Sequence, residues 1–130
     1  MADPLHVELV SADREVWSGE ATTVVARTTE GDVGILPAHA PLLGLIADGV
    51  VEIRTPGGEV YTAAVSGGFL SIAQNRVSIL AEFAELAEDI HLTKARQELE
   101  RAKAAGENDE EALELIRRAE ARIRAAEKVS

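Results

Sequence analysis

Residues 30–43 read EGDVGILPAHAPLL and place two glycines and two prolines among short runs of Val, Ile and Leu. Glycine permits the backbone angles of tight turns, and proline stiffens a loop because its ring fixes φ. The stretch also holds two acids, Glu30 and Asp32, and one histidine, His39, but no obvious nucleophile. So dense a series of turn residues predicts short extended segments separated by loops.

On both sides of this stretch the chain alternates apolar and polar residues with a period of two, as half-buried strands do. The alternation is clearest at Leu5, Val7 and Leu9, at Val51 and Ile53, and at Val77, Ile79 and Ala81. Turn sequences recur at short intervals, and Thr55-Pro56-Gly57-Gly58 separates two such runs as the loop of a hairpin would. Short strands without helical patterns between them predict antiparallel pairing in a sandwich or barrel.

After about residue 85 the apolar period becomes helical, and the composition shifts to Ala, Glu, Lys, Arg and Leu. Two sets of apolar residues recur three and four apart: Leu92, Ala95, Leu99 and Ala102, and then Ala112, Ile116, Ala119, Ile123 and Ala126. Between them Gly106 is a helix stop, and Asn108 and Asp109 are N-cap candidates, which predicts an antiparallel helical hairpin. Because both seams are rich in alanine, they bury little apolar area, and we expect a mobile appendage.

The predicted fold class is therefore α+β, with an N-terminal all-β sandwich at residues 1–86 and a C-terminal two-helix hairpin at residues 90–130. A chain of 130 residues can bury one modest core, but not two full-sized domains. Aromatic residues make up only 3% of the chain, so this core must be built from Val, Ile, Leu and Ala.

The two parts differ in charge. Residues 1–91 carry 4 basic and 14 acidic side chains, whereas residues 92–130 carry 9 of each. So negative a field repels phosphate groups, which makes nucleic acid and anionic lipid poor partners of the first part. The C-terminal end is basic, with Arg117, Arg118, Arg122, Arg124 and Lys128 against Glu120 and Glu127. These cations either meet an acidic surface or form a solvated helix face.

Candidate sites for chemistry are few in this sequence. The chain has no cysteine, which excludes a disulfide, a thiolate metal site and a cysteine nucleophile. Its histidines, His6, His39 and His91, lack the local spacing of metal ligands, and neither a phosphate-binding loop nor a nucleophile elbow is present. The sequence contains neither a signal-peptide pattern nor an apolar run of about 18 residues. We therefore expect a cytosolic or peripheral protein that is not an enzyme and carries no cofactor or metal.

Four blocks of sequence occur in an order that is typical of one protein family. They are Val10-Ser11-Ala12 with Trp17-Ser18-Gly19, the stretch at residues 30–43, Ser66-Gly67-Gly68-Phe69-Leu70, and Val77-Ser78-Ile79-Leu80-Ala81. A hairpin rich in Ala, Arg and Glu follows them. Over essentially all of its length the chain resembles the epsilon subunit of bacterial F-type (rotary) ATP synthases.

This resemblance implies a sandwich of about ten strands followed by two antiparallel helices, in a subunit that does not itself catalyse. In that family the sandwich binds the gamma subunit and rests on the ring of c subunits, so it turns with the central stalk and couples proton flow to ATP synthesis. The ring-facing loop corresponds to Glu30, Gly31 and Asp32, with His39 nearby. The implied location is peripheral, on the cytoplasmic face of the bacterial cell membrane, with membrane association only through the complex.

The resemblance also implies a second role for the hairpin. In relatives the helices fold onto the sandwich or extend along gamma toward the catalytic head of alpha and beta subunits. There, basic side chains meet an acidic segment of beta and block ATP hydrolysis. The corresponding residues here are Arg117, Arg118, Arg122 and Arg124. The alanine-rich seams and the basic end of the chain suit an element with two positions.

Some relatives also bind ATP between the folded helices, through an Ile-Asp-x-x-Arg-Ala motif and arginines further on. The matching positions here are Ile90 and Ala95 of the motif and, further on, Arg101, Arg118 and Arg122. The acid of the motif is replaced by His91 and its arginine by Lys94. These replacements remove a carboxylate acceptor and a planar guanidinium fork, which argues against ATP as a regulatory ligand.

A different class of function remains open, namely a stand-alone β-sandwich that binds a protein or a small molecule and uses the helices as a dimerisation arm. Such a module usually offers an aromatic platform for ligand stacking. The chain has four aromatic residues, Trp17, Tyr61, Phe69 and Phe83, and so small a number argues against such a platform. Copurification with a gamma subunit separates the two classes.

Overall fold

The computed structural model describes residues 3–106 and 109–129. Within them eight strands come first, and a short 3-10 turn then leads into two helices. The strands are β1 (Leu5–Val10), β2 (Glu15–Ala21), β3 (Thr23–Thr28), β4 (Gly31–Ile35), β5 (Leu42–Leu45), β6 (Gly49–Arg54), β7 (Val60–Ala73) and β8 (Arg76–Leu86). The turn is Ala87–Asp89, and the helices are α1 (Leu92–Ala104) and α2 (Glu110–Val129). The predicted fold class, strands followed by a helical pair, is confirmed.

The strands form two layers that share the ribbon of β7 and β8. Their order is β2-β1-β8-β7-β6-β3-β4, with β5 paired to β7. The first part of β7 pairs with β6 and its last part with β5, while β8 pairs with β1 through residues 76–80 only. Each layer therefore contains five strands when the two halves of β7 and β8 are counted separately. This sharing reconciles eight continuous strands with the predicted sandwich of about ten.

One pairing differs from the antiparallel arrangement that the sequence predicts. Strand β1 runs parallel to β8, with Leu9 opposite Ile79. A tight turn can join only antiparallel neighbours, but almost the whole sandwich lies between these two strands in sequence, so no turn fixes their direction. The predicted hairpin between β6 and β7 is confirmed, and the N–H of Thr55 donates to the carbonyl oxygen of Glu59 at 2.9 Å across its loop.

The long strand β7 passes from one layer to the other at Gly67 and Gly68. Their φ angles are 64° and 122°, in the region that favours glycine. A Cβ atom at Gly68 would lie 1.9 Å from the backbone oxygen of Leu80, so no side chain fits there. The two glycines therefore allow one strand to serve both layers.

The core lies between the layers and consists of branched aliphatic side chains. Inward residues alternate with outward ones along β1, as the period-two pattern predicts. The largest fully buried side chains include Leu5, Leu9, Ile35, Ile53, Leu70, Ile72 and Ile79. Trp17 and Tyr61 pack at the rim of this core, with ring centroids 5.3 Å apart. Because burial of apolar surface contributes about 25 cal/mol per Å², these side chains are the main source of sandwich stability.

The two helices pack along the predicted alanine seams. Of the residues in those seams, the alanines Ala95, Ala102, Ala112, Ala119 and Ala126 are buried, and the larger side chains are partly buried. Gly106 has a φ of 105° just after α1, as the predicted helix stop requires. The carboxylate of Asp109 accepts a hydrogen bond from the N–H of Glu111 at 3.0 Å, which confirms one N-cap candidate. The other candidate, Asn108, lies outside the described residues.

A second face of α2 packs on the sandwich, and the sequence analysis did not predict it. Ala121 and Ala125 are fully buried there against Ala64 of β7 and Ala87 of the 3-10 turn. Their small side chains let the helix approach the sheet closely, but they bury little apolar area. The hairpin therefore lies folded on the sandwich in this structure, and its predicted mobility stays a prediction.

Candidate docking surfaces

Three ion pairs join α2 to the sandwich. Arg117 Nε lies 3.0 Å from Asp48 Oδ2, Arg122 Nε lies 2.8 Å from Glu85 Oε1, and Lys128 Nζ lies 2.9 Å from Glu52 Oε2. The acids come from the segment before β6, from β8 and from β6 itself. Of the two alternatives left open by the sequence, these three cations therefore meet an acidic surface, and that surface is the chain's own sandwich.

Two of these acids are held by further contacts within the sandwich. Asp48 Oδ1 accepts a hydrogen bond from the hydroxyl of Ser66 at 2.7 Å. Glu52 accepts hydrogen bonds from Lys128 and from Arg54, and these contacts hold its pKa below the ordinary value, although burial acts in the opposite direction. Both carboxylates are therefore oriented, and Glu52 is ionised at neutral pH.

A cavity of about 520 Å³ opens between the two helices and β8. Its lining includes Arg101, Arg118 and Arg122, three of the residues predicted for ATP binding. The guanidinium of Arg118 lies 5.6 Å from the centre of the Phe83 ring, and Arg118 Nε is buried without a hydrogen-bond partner among the described residues. The structure thus brings the three predicted arginines to one cavity.

The other predicted ATP residues lie elsewhere. Ile90 packs beside Ala64 and Ala121 under α2, and Ala95 is buried in the seam between the helices. Neither is among the residues that line the cavity. Only the later part of the predicted set therefore shares a site.

The four arginines predicted to meet a beta subunit have different surroundings. Arg117 and Arg122 form the ion pairs with the sandwich described above, and Arg118 pairs with Glu114 of its own helix at 3.2 Å. Arg124 lies on the exposed side of α2, where its Nε donates to the backbone oxygen of Glu120 at 3.4 Å. In this folded position Arg117 and Arg124 are exposed, whereas Arg118 and Arg122 are partly buried.

An exposed row of apolar side chains crosses the neighbouring strands β5, β7 and β8 on the outer surface of their layer. Leu45 of β5 lies opposite Phe69 of β7, which in turn lies opposite Leu80 of β8. These three residues are 51%, 53% and 51% exposed, and Leu43, two residues before Leu45 on β5, is 74% exposed. We call these four residues the apolar row. Contiguous apolar surface of this kind marks an interaction site.

The apolar row is not among the site residues that the sequence predicts. Period-two alternation identifies one apolar face of a strand, and it cannot indicate a second apolar face outside the core. A weak signal was present in Ile79-Leu80-Ala81, where Leu80 breaks the alternation at an outward position. Only the pairing of the three strands brings the row together.

The predicted ring-facing turn borders this row. Glu30, Gly31 and Asp32 line an open groove with residues 42–45 and Phe69. Thr28 Oγ1 donates to the carbonyl oxygen of Gly31 at 2.8 Å, and the N–H of Glu30 donates back to the same hydroxyl at 3.2 Å. The turn is therefore held in shape by its own hydrogen bonds, with its acids exposed.

His39 lies at the opposite end of β4 from this turn. The backbone N–H of His39 donates to the carbonyl oxygen of Leu36, and the backbone N–H of the adjacent Ala38 donates to Asn75 Oδ1 at 2.7 Å. The four residue steps of β4 separate the two ends by about 13 Å. The structure thus groups Glu30, Gly31 and Asp32 and does not bring His39 to them.

In residues 3–106 and 109–129 no group of three or more His, Asp or Glu side chains could hold a metal ion. Within the same residues, neither helix is long and apolar enough to cross a membrane.

The fold and these surfaces define a class of small proteins in which a β-sandwich carries a helical hairpin on one side and an exposed apolar row on another. The family described as "ATP synthase, Delta/Epsilon chain, beta-sandwich domain" matches residues 4–87. The ATP synthase epsilon chain of Streptomyces avermitilis is 59% identical over 125 residues, covering 96% of this chain and 97% of the relative. That of Rhodococcus opacus is 50% identical over 125 residues, covering 95% and 97%. The chain therefore belongs to the ATP synthase epsilon chain family, which confirms the resemblance seen in its sequence.

Solved structures show the same architecture. A chain of the Euglena gracilis mitochondrial ATP synthase, described as OSCP/F1/c-ring in rotational state 1, superposes with a TM-score of 0.71 at 25% identity. The match covers 97% of this chain and 79% of that one. A chain of the Tetrahymena thermophila mitochondrial ATP synthase central stalk and c-ring gives a TM-score of 0.59 at 16% identity, over 98% and 97% of the two chains. At that identity the second likeness concerns the fold alone.

Proposed function

We propose that this chain is a non-catalytic subunit of the central stalk of a proton-translocating ATP synthase. Its sandwich, residues 1–86, docks on the gamma subunit and on the ring of c subunits, so that ring rotation is coupled to ATP synthesis in the head. The observation that carries this proposal is the apolar row beside the polar turn at Glu30–Asp32. The names of the relatives and the c-ring assembly of the Euglena gracilis neighbour support the choice of complex.

The apolar row is the proposed contact with gamma. Its side chains are more than half exposed in the free chain, and an apolar partner surface would remove them from water. Cross-strand neighbours on three strands form a firm surface, so little ordering is needed on docking. Such a row, next to a polar rim, is the usual composition of a protein–protein interface.

The polar turn is the proposed contact with the c ring. Glu30 and Asp32 can accept hydrogen bonds from polar loops of a partner, and Gly31 leaves room for its backbone to approach closely. We also propose a ring contact for His39, but its position at the other end of β4 makes it a separate contact that needs its own test.

We further propose that the hairpin, residues 90–130, inhibits ATP hydrolysis when it extends toward the alpha and beta subunits. In that position Arg117, Arg118, Arg122 and Arg124 would meet an acidic segment of beta. Arg117 and Arg122 must first leave Asp48 and Glu85, which compete for the same charges. The small alanine contact under α2 supports the proposal, because it offers little resistance to such a release.

No cofactor is proposed, and we do not propose ATP as a regulatory ligand. Three arginines line the interhelical cavity, but Arg122 is already paired with two carboxylates of the chain. His91 and Lys94 also replace the acid and the arginine of the family motif. If ATP at millimolar concentration shifted the amide resonances of Arg101, Arg118 and Arg122 in the free chain, this exclusion would be wrong.

Peripheral attachment at the cytoplasmic face of the bacterial cell membrane follows from the proposed function. The chain reaches the membrane through the c ring and gamma, not by inserting into lipid. Its acidic first part is unsuited to direct contact with anionic lipid, since like charges repel.

The experiment that tests the docking proposal is copurification with gamma. The double variant Leu45→Ser, Phe69→Ser interrupts the apolar row at its centre and should abolish recovery of the complex. Val60→Ser is the matched control, because Val60 also lies on β7 and is 52% exposed but lies outside the row. Normal recovery of the double variant would refute the row as the gamma contact.

The inhibitory role is tested separately, by ATP hydrolysis of a reconstituted catalytic head with gamma. Full-length chain is compared with a chain that ends at Asp89. We expect faster hydrolysis after truncation, with gamma binding intact. Equal rates would restrict the function to assembly and coupling through the sandwich. If neither version bound gamma, the stand-alone module would replace the central-stalk assignment.

A further inference from the structure

Arg122 joins three elements of the fold at one guanidinium group. Its Nε lies 2.8 Å from Glu85 Oε1 on β8, and its Nη1 lies 2.6 Å from Glu98 Oε2 on α1. Arg122 itself belongs to α2. We call these three residues the Arg122 cluster. A single side chain thus connects both helices to each other and to the sandwich.

The Arg122 cluster is better shielded from water than the other ion pairs under α2. The side chains of Arg122 and Glu85 are 15% and 18% exposed, and that of Glu98 is 40% exposed. In contrast, Arg117 and Lys128 are 55% and 53% exposed in their pairs with the sandwich. Exposed pairs contribute little, because water and salt screen them and both side chains must be ordered. Charge-assisted hydrogen bonds in a shielded place are the stronger kind.

Apolar contact between α2 and the sandwich is modest. The fully buried residues there are Ala121, Ala125 and Ala64, each with a single methyl group, and the partly buried Val50, Phe83 and Ile90 pack beside them. The position of the hairpin must therefore depend on its polar contacts more than a helix packed through Leu or Ile would.

Glu98 has a particular place in the cluster, because it brings negative charge from the hairpin itself. It lines the cavity between the helices together with Arg101 and Arg118. Asp109 and Glu111 also line the cavity, and Arg118 pairs with Glu114, but the negative charge that reaches Arg122 from the hairpin is that of Glu98. The chain supplies that negative charge from α1.

We propose that Glu98 is an internal counter-ion that closes the hairpin on the sandwich through Arg122, so that closure needs no bound anion. This inference rests on the proposed function only for its biological consequence, since closure sets how readily the inhibitory position is reached. Closure itself is a property of the free chain.

Amide hydrogen exchange of the full-length free chain tests the proposal. In Glu98→Gln the hydrogen bond from Arg122 loses its charge assistance, and exchange in α2 should become faster by about tenfold. Exchange in β1 should not change, which shows that the sandwich stays folded. Glu100→Gln is the matched control: Glu100 is exposed on the same helix, and it forms no ion pair among residues 3–106 and 109–129.

The need for an anion is tested in the same experiment with inorganic pyrophosphate as the probe. Millimolar pyrophosphate should leave α2 exchange of the wild-type chain unchanged. Two results would overturn the proposal: exchange in Glu98→Gln that equals that of the wild type, or wild-type α2 that becomes protected only when pyrophosphate is added.

The hydrolysis assay separates this inference from the proposed function. If Glu98→Gln speeds α2 exchange but leaves hydrolysis by the reconstituted head unchanged, the internal counter-ion stands and the inhibitory role fails. If exchange is unchanged while truncation at Asp89 still speeds hydrolysis, the inhibitory role stands and the internal counter-ion fails.

Discussion

The interior of the sandwich and the contact between α2 and the sandwich are built from different side chains. Between the layers, residues such as Leu70 and Ile79 are fully buried. Under α2 the fully buried residues are alanines, and ion pairs surround them. Because hydrophobic stabilisation grows with buried apolar area, it is large in the first region and small in the second. We therefore expect the hairpin to leave the sandwich while the sandwich stays folded.

The largest effect is expected at the bend of β7. Gly68→Ala places a Cβ against the carbonyl oxygen of Leu80 at a φ of 122°, so β7 and β8 must both shift. We expect a loss of about 4 kcal/mol in the free energy of unfolding by urea, or failure to fold. Gly57→Ala should cost less than about 1 kcal/mol, because nothing lies near its Cβ. Equal losses at the two glycines would contradict the requirement for a bend.

The next effect compares two adjacent residues of β8. Ile79 is fully buried, and Ile79→Ala should lower the free energy of unfolding by about 3 kcal/mol through lost contacts and a residual cavity. Leu80 points outward in the apolar row, and Leu80→Ala should change the free energy of unfolding by less than about 0.5 kcal/mol. Urea titrations followed by the fluorescence of Trp17 measure both. A large loss at Leu80 would mean that the row belongs to the folding core and is not a free surface.

A third, smaller effect concerns the alanine contact under α2. Ala125 is fully buried against the sandwich, and Ala125→Leu should force the helix away, with exchange in α2 faster by about tenfold. The urea midpoint reported by Trp17 should change little. Ala104→Leu is the control, because Ala104 lies on the exposed side of α1. If Ala125→Leu also lowered the midpoint, hairpin and sandwich would unfold as one unit, and the comparison above would fail.

The smallest effect is expected from the titration of Glu52. Lys128 on α2, and then Arg54 on β6, lower the pKa of Glu52 below its ordinary value in the folded chain, while burial opposes them. A lowered pKa contributes stability that is complete above the ordinary value and is lost as the pH falls through the lowered one. The protection of amides at the C-terminal end of α2, relative to their intrinsic exchange rate at each pH, should therefore fall in acid, and Glu52→Gln should weaken that dependence. An unchanged dependence in the variant would assign it to other carboxylates.

The sequence was informative about local structure and about the family. The alternation in β1, the loop at Thr55–Gly58, the alanine seams and the cap at Asp109 are each determined by residues a few positions apart. The prediction of antiparallel pairing failed only for β1 and β8. The relative direction of these two strands depends on how the whole sandwich closes, and no short sequence pattern predicts that closure.

The candidate surfaces were harder to predict from the sequence than the local structure. Arg117 and Arg122 were identified as functional cations, but their partners Asp48 and Glu85 were not, because many acids of the first 91 residues were equivalent until the fold placed them. Ala121 and Ala125 lie outside the predicted seams, since a helix that packs on two partners carries two apolar stripes and only one had been identified.

The sequence by itself determined the class of fold, the place where strands give way to helices, and membership of the ATP synthase epsilon chain family. These follow from periodicity, turn residues and blocks of identity, which are local properties of the chain. The tertiary structure alone decided that Leu45, Phe69 and Leu80 form one exposed row, and that Glu98 and Glu85 meet at Arg122. Both arrangements join residues far apart in sequence, and strand register and helix packing bring them together.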